Sequence, residues 1–125
     1  MLITIIASNQ NKREKDWLGY WRDEFERLGF EVVVNPDLTD LEQSDILVLL
    51  DDGRALSPET YAKLGYFYHL KKSENRTPAR LSVALSEAID FDNDLVKYFD
   101  HVTKTDKGLI NTVKDYLYFV NNKKL

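Results

Sequence analysis

DILVLLDDGRALSPETYAKLGYFYHLKK, from Asp45 to Lys72, is the stretch that decides how the chain folds. Ile46 to Leu50 is an unbroken apolar run bounded by polar residues, which suits a strand buried on both faces in the middle of a parallel sheet. Asp51, Asp52 and Gly53 then form an acidic turn, and Ser57 with Pro58 opens a helix that supplies the crossover to the next strand. Ligands of such sheets bind beyond the carboxyl ends of the strands. The acidic turn and the helix start are therefore where recognition or chemistry is expected.

Working outward, Leu2 to Ala7 is a second continuous apolar run and reads as a central strand, followed by polar turn residues Ser8 to Asn11. Between Lys12 and Leu28, Trp17, Leu18, Trp21, Phe25 and Leu28 recur at helical spacing with charged residues opposite, and Gly29 is a natural stop. Phe30 to Val34 is rich in β-branched residues and reads as a strand, and Pro36 to Gln43 as a loop with one short helical turn. Downstream, Ser73 to Pro78 is a polar connection, Ala79 to Leu85 a fourth strand, Ser86 to Asp90 a loop, Asp92 to Phe99 a short helix, and His101 to Thr105 a fifth strand. Leu109, Ile110, Val113, Leu117 and Val120 make the apolar stripe of a last helix, and Asn121 to Leu125 fray from it. Strands alternating with helices, joined by right-handed crossovers, give an α/β fold: a three-layer, flavodoxin-like or Rossmann-like, doubly wound sheet of five parallel strands in the order 2-1-3-4-5. The 125 residues are read as one domain with no internal repeat.

Composition narrows the function. No stretch approaches the roughly 20 apolar residues of a membrane span, and the opening MLITIIAS lacks the basic region of a signal peptide, so a cytoplasmic protein without a membrane partner is expected. With no cysteine, disulfides, thiolate metal sites and a cysteine nucleophile are excluded. A net charge of −4 argues against general binding of nucleic acid. There is no G-x-G-x-x-G after the first strand and no G-x-x-x-x-G-K-[ST], which removes Rossmann dinucleotide binding and a P-loop. His69 and His101 have no metal-ligand spacing and read as surface positions, so neither a metal nor another cofactor is expected.

The strand SDILVLLD, its acidic turn, and SPETYAKLGY entering a helix resemble the nucleoside 2-deoxyribosyltransferase family and its nucleotide N-hydrolase relatives. Those proteins share the flavodoxin-like layout and carry a segment of the form D-x-G-T-x-x-E-x-G-Y-A, on which Pro58, Thr60, Leu64, Gly65 and Tyr66 agree. NDLVKYFDHV ahead of the last helix also resembles the family's Asn-led short helix and final strand. The resemblance implies recognition of a nucleoside or nucleotide, with transfer or hydrolysis at the N-glycosidic bond, and assembly as a homo-oligomer. One departure bears directly on activity. The family's nucleophilic glutamate falls on Lys63, whose charge has the wrong sign to stabilise an oxocarbenium-like centre and whose protonated amine is no nucleophile. The family's Asp and Gly ahead of it fall on Ser57 and Glu59.

Glu59 is the nearby candidate for a displaced nucleophile; its plainer reading is an i to i+4 partner of Lys63 that complements the helix dipole. Asp51 and Asp52, with Gly53, are candidates for holding ribose hydroxyls or for acid–base work, against a turn in which one Asp caps backbone amides. Ser8 and Asn9 would line the same crevice, and Asn93 would reach it if the tail resemblance extends to function. Ser57 and Lys63 are candidates at the helix start, the latter meeting a phosphate. Tyr66, with Tyr61, Phe67 and Tyr68, offers either a surface on which a base stacks or a subunit interface. Two other readings stay open: a catalytically inactive nucleotide-binding sensor or interaction module, and a Toll/interleukin-receptor-like, NAD-handling signalling domain, where S-P-E-T resembles a helix start that carries a glutamate.

Overall fold

The computed structural model describes residues 1–7, 12–53, 56–86 and 96–123. Strands β1 (Leu2–Ala7), β2 (Glu31–Val34), β3 (Ile46–Asp51), β4 (Leu81–Ser86) and β5 (His101–Thr103) form one sheet in the order β2-β1-β3-β4-β5. Every pairing is parallel, with Ile3 beside Ile46, Ile46 beside Leu81 and Val83 beside His101. This is the expected three-layer, doubly wound α/β sheet, with the reversal of strand order lying between β1 and β3.

Helices α1 (Lys12–Arg27), α2 (Leu38–Gln43), α3 (Pro58–Ser73) and α4 (Asp106–Lys123) cover both faces. Because side chains alternate across a strand, Ile46, Val48 and Leu50 of β3 pack with Trp21 and Phe25 of α1 and Leu109 and Val113 of α4. Leu47 and Leu49 point the other way, to Leu41 of α2 and to Leu64 and Phe67 of α3. A strand covered on both sides has no solvent face, hence the continuous apolar runs in the sequence.

Local chemistry sets the helix ends. Gly29, at φ 94°, closes α1 in a Schellman arrangement, its amide donating to the Glu26 carbonyl at 3.0 Å and the Phe30 amide to the Phe25 carbonyl at 3.2 Å. Asp37 and Asp40 form a reciprocal capping box that makes α2 a true helix of 6 residues, where the sequence reads as a single turn in a loop. Thr105 caps α4 by accepting from the Gly108 amide at 3.0 Å, which is why β5 stops at Thr103 instead of running on to Thr105. A Cβ on Gly108 would sit 2.1 Å from the Thr103 hydroxyl, so only glycine lets this helix start so close to the strand it follows. The first half of the helix expected over Asp92 to Phe99, residues 92–95, lies outside the described residues, and past Val96 the chain turns toward β5 through Lys97 to Phe99 instead of continuing as a helix. No helix among the described residues is long and apolar enough to cross a membrane.

The fourth strand begins two residues later than its hydrophobicity suggests. Ala79 is used elsewhere, its carbonyl accepting from the Tyr116 hydroxyl at 2.7 Å, and Arg80 is drawn under α2. Only 8 % exposed, Arg80 donates from Nη1 to the carbonyls of Leu41 and Ser44, from Nη2 to the Glu42 carbonyl and to Glu74, and from Nε to the other Glu74 oxygen, all between 2.7 and 3.0 Å. All five guanidinium N–H groups are satisfied, and the plane lies 5.9 Å from the centre of the Phe67 ring.

Replacing Arg80 with Ala strands Glu74 and the carbonyls of Glu42 and Ser44, while Leu41 keeps the Ser44 amide, and is expected to cost about 3–5 kcal/mol in urea unfolding. The Arg80 hydrogen bond holds the Glu74 carboxyl below its usual range. A depressed folded pKa adds stability that is present above the unfolded carboxylate value of about 4.3 and is lost as pH falls through the folded value. Glu74→Gln should therefore be less stable than the parent at neutral pH, with the gap closing on acidification; an unchanged gap would contradict the pairing.

Candidate functional site

Three central strands end together at the carboxyl edge of the sheet, β1 at Ala7, β3 at Asp51 and β4 at Ser86. Asp51 is 6 % exposed and its carboxylate is committed on both sides. One oxygen accepts from the Gly53 amide at 3.0 Å, closing the turn, and the other from the Ser86 hydroxyl at 2.9 Å, tying β3 to β4. Gly53 takes φ 90°, a conformation that disfavours a side chain. Asp52, half-buried, is the next residue along. The turn-capping reading of Asp51 is thus the one its contacts satisfy, with its acceptor oxygens already engaged.

The start of α3 is stitched to the same edge. Ser57 caps the helix, its hydroxyl accepting from the Thr60 amide at 3.1 Å, and the buried Thr60 hydroxyl donates to the Ala7 carbonyl at 2.9 Å. Since the Thr60 proton is used on Ala7, the 2.9 Å contact between the two hydroxyls has Ser57 as donor. This chain of bonds fixes the helix N-terminus against the end of β1, at the point where the strand order reverses.

Lys63 and Glu59 meet one turn into α3, Nζ to Oε1 at 3.0 Å. They differ in exposure: the Lys63 side chain is 13 % exposed and that of Glu59 67 %. Tyr66, three residues after Lys63 and so on the same flank of the helix, donates its hydroxyl to Glu42 of α2, a bond that raises the tyrosine pKa. Lys63 therefore lies on the α2 side of α3, with its stem covered.

Asp51, Asp52 and Gly53 stand at the end of β3, Ser57 at the helix start tied through Thr60 to the end of β1, and Glu59 and Lys63 in the first two turns of that helix. Tyr66 does not join them. Bonded to the last turn of α2, which leads into the start of β3, that ring lies away from the strand ends and is no stacking surface for a base in the crevice. Tyr68 is likewise occupied, packed edge-on against Tyr98 with ring centres 5.5 Å apart, which leaves Tyr61 as the exposed aromatic of α3. Ser8, Asn9 and Asn93 lie outside the described residues. His69 and His101 are both exposed, on α3 and β5, and no group of three or more His, Cys, Asp or Glu among the described residues is placed to hold a metal. Sequence reasoning passed over Thr60 and Ser86. The signal for each was a small hydroxyl residue at an element end facing another element's carbonyl or carboxylate.

No protein-family model and no curated protein sequence matches the chain. Solved structures do share its fold. The response regulator TrrA of Thermotoga maritima, in complex with Mg2+ and BeF, is similar at a TM-score of 0.59 and 14% identity, over 91% of this chain and 96% of its own. A flavodoxin of Streptococcus pneumoniae is similar at 0.51 and 18% identity, over 98% of this chain and 99% of its own. At these identities the likeness establishes a flavodoxin-like fold.

Thr60→Val keeps shape but leaves the buried Ala7 carbonyl without its donor, and Ser86→Ala does the same to one Asp51 oxygen. Each is expected to cost about 1–3 kcal/mol in chemical denaturation. A change well below that range would mean the bond is replaced by water.

Proposed function

We propose that the chain is a nucleoside 2-deoxyribosyltransferase-like protein whose crevice recognises a nucleotide and does not turn it over. The observation that carries this reading is Lys63: a cation with a covered stem, at the family's nucleophile position, beside the switch point where doubly wound sheets take their ligands. One of its three N–H groups is used by Glu59, leaving two for the oxygens of a phosphate. Asp51 would act here by shaping the turn that walls the sugar, since its own acceptor oxygens are engaged. Glu59 is a poor replacement nucleophile, because its carboxylate is held by the ammonium beside it and its side chain is largely in solvent.

This reading selects its own panel: 2′-deoxynucleosides, their 5′-monophosphates and NAD, each titrated calorimetrically and incubated with and without an acceptor base. Monophosphates should bind about tenfold or more tightly than the matching nucleosides, and Lys63→Gln should erase that preference without unfolding the protein. No base should be released. Release that disappears in Glu59→Ala would instead establish a glycosidic enzyme with a relocated nucleophile, and release from NAD alone would favour the NAD-handling reading. Absence of binding by every member would overturn the proposal.

A further inference from the structure

A second basic site sits at the opposite edge of the sheet. A cavity of about 190 Å³ is lined by Tyr68, Lys71 and Lys72 from the end of α3 and by Lys97, Phe99 and Asp100 ahead of β5. Three ammonium groups face one carboxylate there, in a chain whose net charge is −4. Lys71 and Asp100 explain each other: they pair at 2.5 Å, Lys71 also donates to the Ser82 hydroxyl at 2.9 Å, and Asp100 accepts from the Ser82 amide at 2.9 Å. That cluster anchors the cavity floor to β4.

The other two lysines are not accounted for in this way. Lys72 Nζ lies 5.4 Å from the centre of the Tyr68 ring and Lys97 Nζ 5.2 Å from that of Tyr98, and the two rings meet at 86°. Neither ammonium has a carboxylate partner among the described residues. Lysines in the last turn of a helix complement its dipole, which would explain Lys71 and Lys72. It does not explain Lys97, which belongs to a different segment and is brought to the same cavity by the tyrosine pair. Among the described residues, two ammonium groups positioned by rings, around a cavity with a third already neutralised, leave an excess of positive charge that a compact dianion would match.

We infer that this cavity is an anion site for the phosphate group of a small phosphate or phosphate monoester, distinct from the crevice at Lys63. Its size suits a phosphate and a few further atoms, not a whole dinucleotide. The test is a titration of the intact chain with inorganic phosphate, phenyl phosphate and, as a control, chloride, followed by backbone amide shifts and phosphorus NMR. Phosphate should shift the amides of Lys72, Lys97, Phe99 and Asp100 with a Kd of about 1 mM or tighter, and chloride should not. The exposed pair Lys72→Gln with Lys97→Gln should weaken the binding read at Phe99 and Asp100 about tenfold or more, while Lys63→Gln leaves the shifts at those two amides unchanged. Tighter binding of phenyl phosphate than of inorganic phosphate would identify a monoester as the ligand class; equal or weaker binding would identify the free ion. Shifts confined to the surroundings of Lys63 with none at Phe99 and Asp100, insensitivity of the Phe99 and Asp100 shifts to the double substitution, or no shift there at about 10 mM phosphate would overturn the inference.

Discussion

A buried guanidinium organises the amino edge of this protein. Moving a charge out of water is tolerable only where every donor finds an acceptor, and Arg80 finds five, in a carboxylate after α3 and three carbonyls around the end of α2. Those carbonyls lie where any helix leaves acceptors over at its C-terminus, and only that of Leu41 has a second donor, the Ser44 amide. Arg80 thus caps α2 from a distance of 39 residues in sequence, and the cap closes only when β4 is seated beside β3 in the observed register. Neighbouring ties act the same way. Asp45 joins Arg76 and accepts from the Leu2 amide at 2.8 Å, and the hydroxyls of Thr4 and Ser44 meet at 2.8 Å beneath the sheet.

Polar bonding is distributed differently at the two edges. At the amino edge it is long-range and charged, and it makes the strand order costly to change. At the carboxyl edge it is neutral or singly charged: Thr60 on Ala7, Ser57 on Thr60, Ser86 on Asp51. These bonds fix the positions of turn and helix start, and they consume the groups that looked chemically available in the sequence. The ammonium of Lys63 keeps unused donors after its contacts with the chain are counted.

Most of the fold was legible in the residues because its determinants are local or periodic. Doubly buried strands read as continuous runs, α1 carries a one-sided apolar stripe, and Gly29, Ser57 and Pro58 mark helix ends through backbone chemistry that needs no tertiary context. The errors share a cause. The start of β4 was misplaced because the acceptors that draw Arg80 out of the strand, on Leu41, Glu42, Ser44 and Glu74, come together around it only in the folded chain. The role of Asp51 stayed open because Ser86, its partner, is 35 residues away and reads as loop. Tyr66 was assigned to the crevice on helix membership alone, whereas its height along α3 and its bond to Glu42 place it elsewhere.

On the proposed reading, Lys63 in place of a glutamate changes the energetics of the crevice as well as its reactivity. A free lysine with a covered stem would be an uncompensated cation, and Glu59 neutralises it from the preceding turn. That pair is easily exchanged. The carboxylate is two-thirds exposed, so its hold on Lys63 is an ordinary surface ion pair worth about 0–1 kcal/mol. A phosphate entering from the switch point would meet the same ammonium with water partly excluded, where a charge-assisted bond is stronger, and would release Glu59 to solvent at little cost. The Lys63–Glu59 pair is neutral by itself and would present its ammonium to an arriving anion once Glu59 moves into solvent, with Asp51 and Asp52 as the remaining charges at that edge.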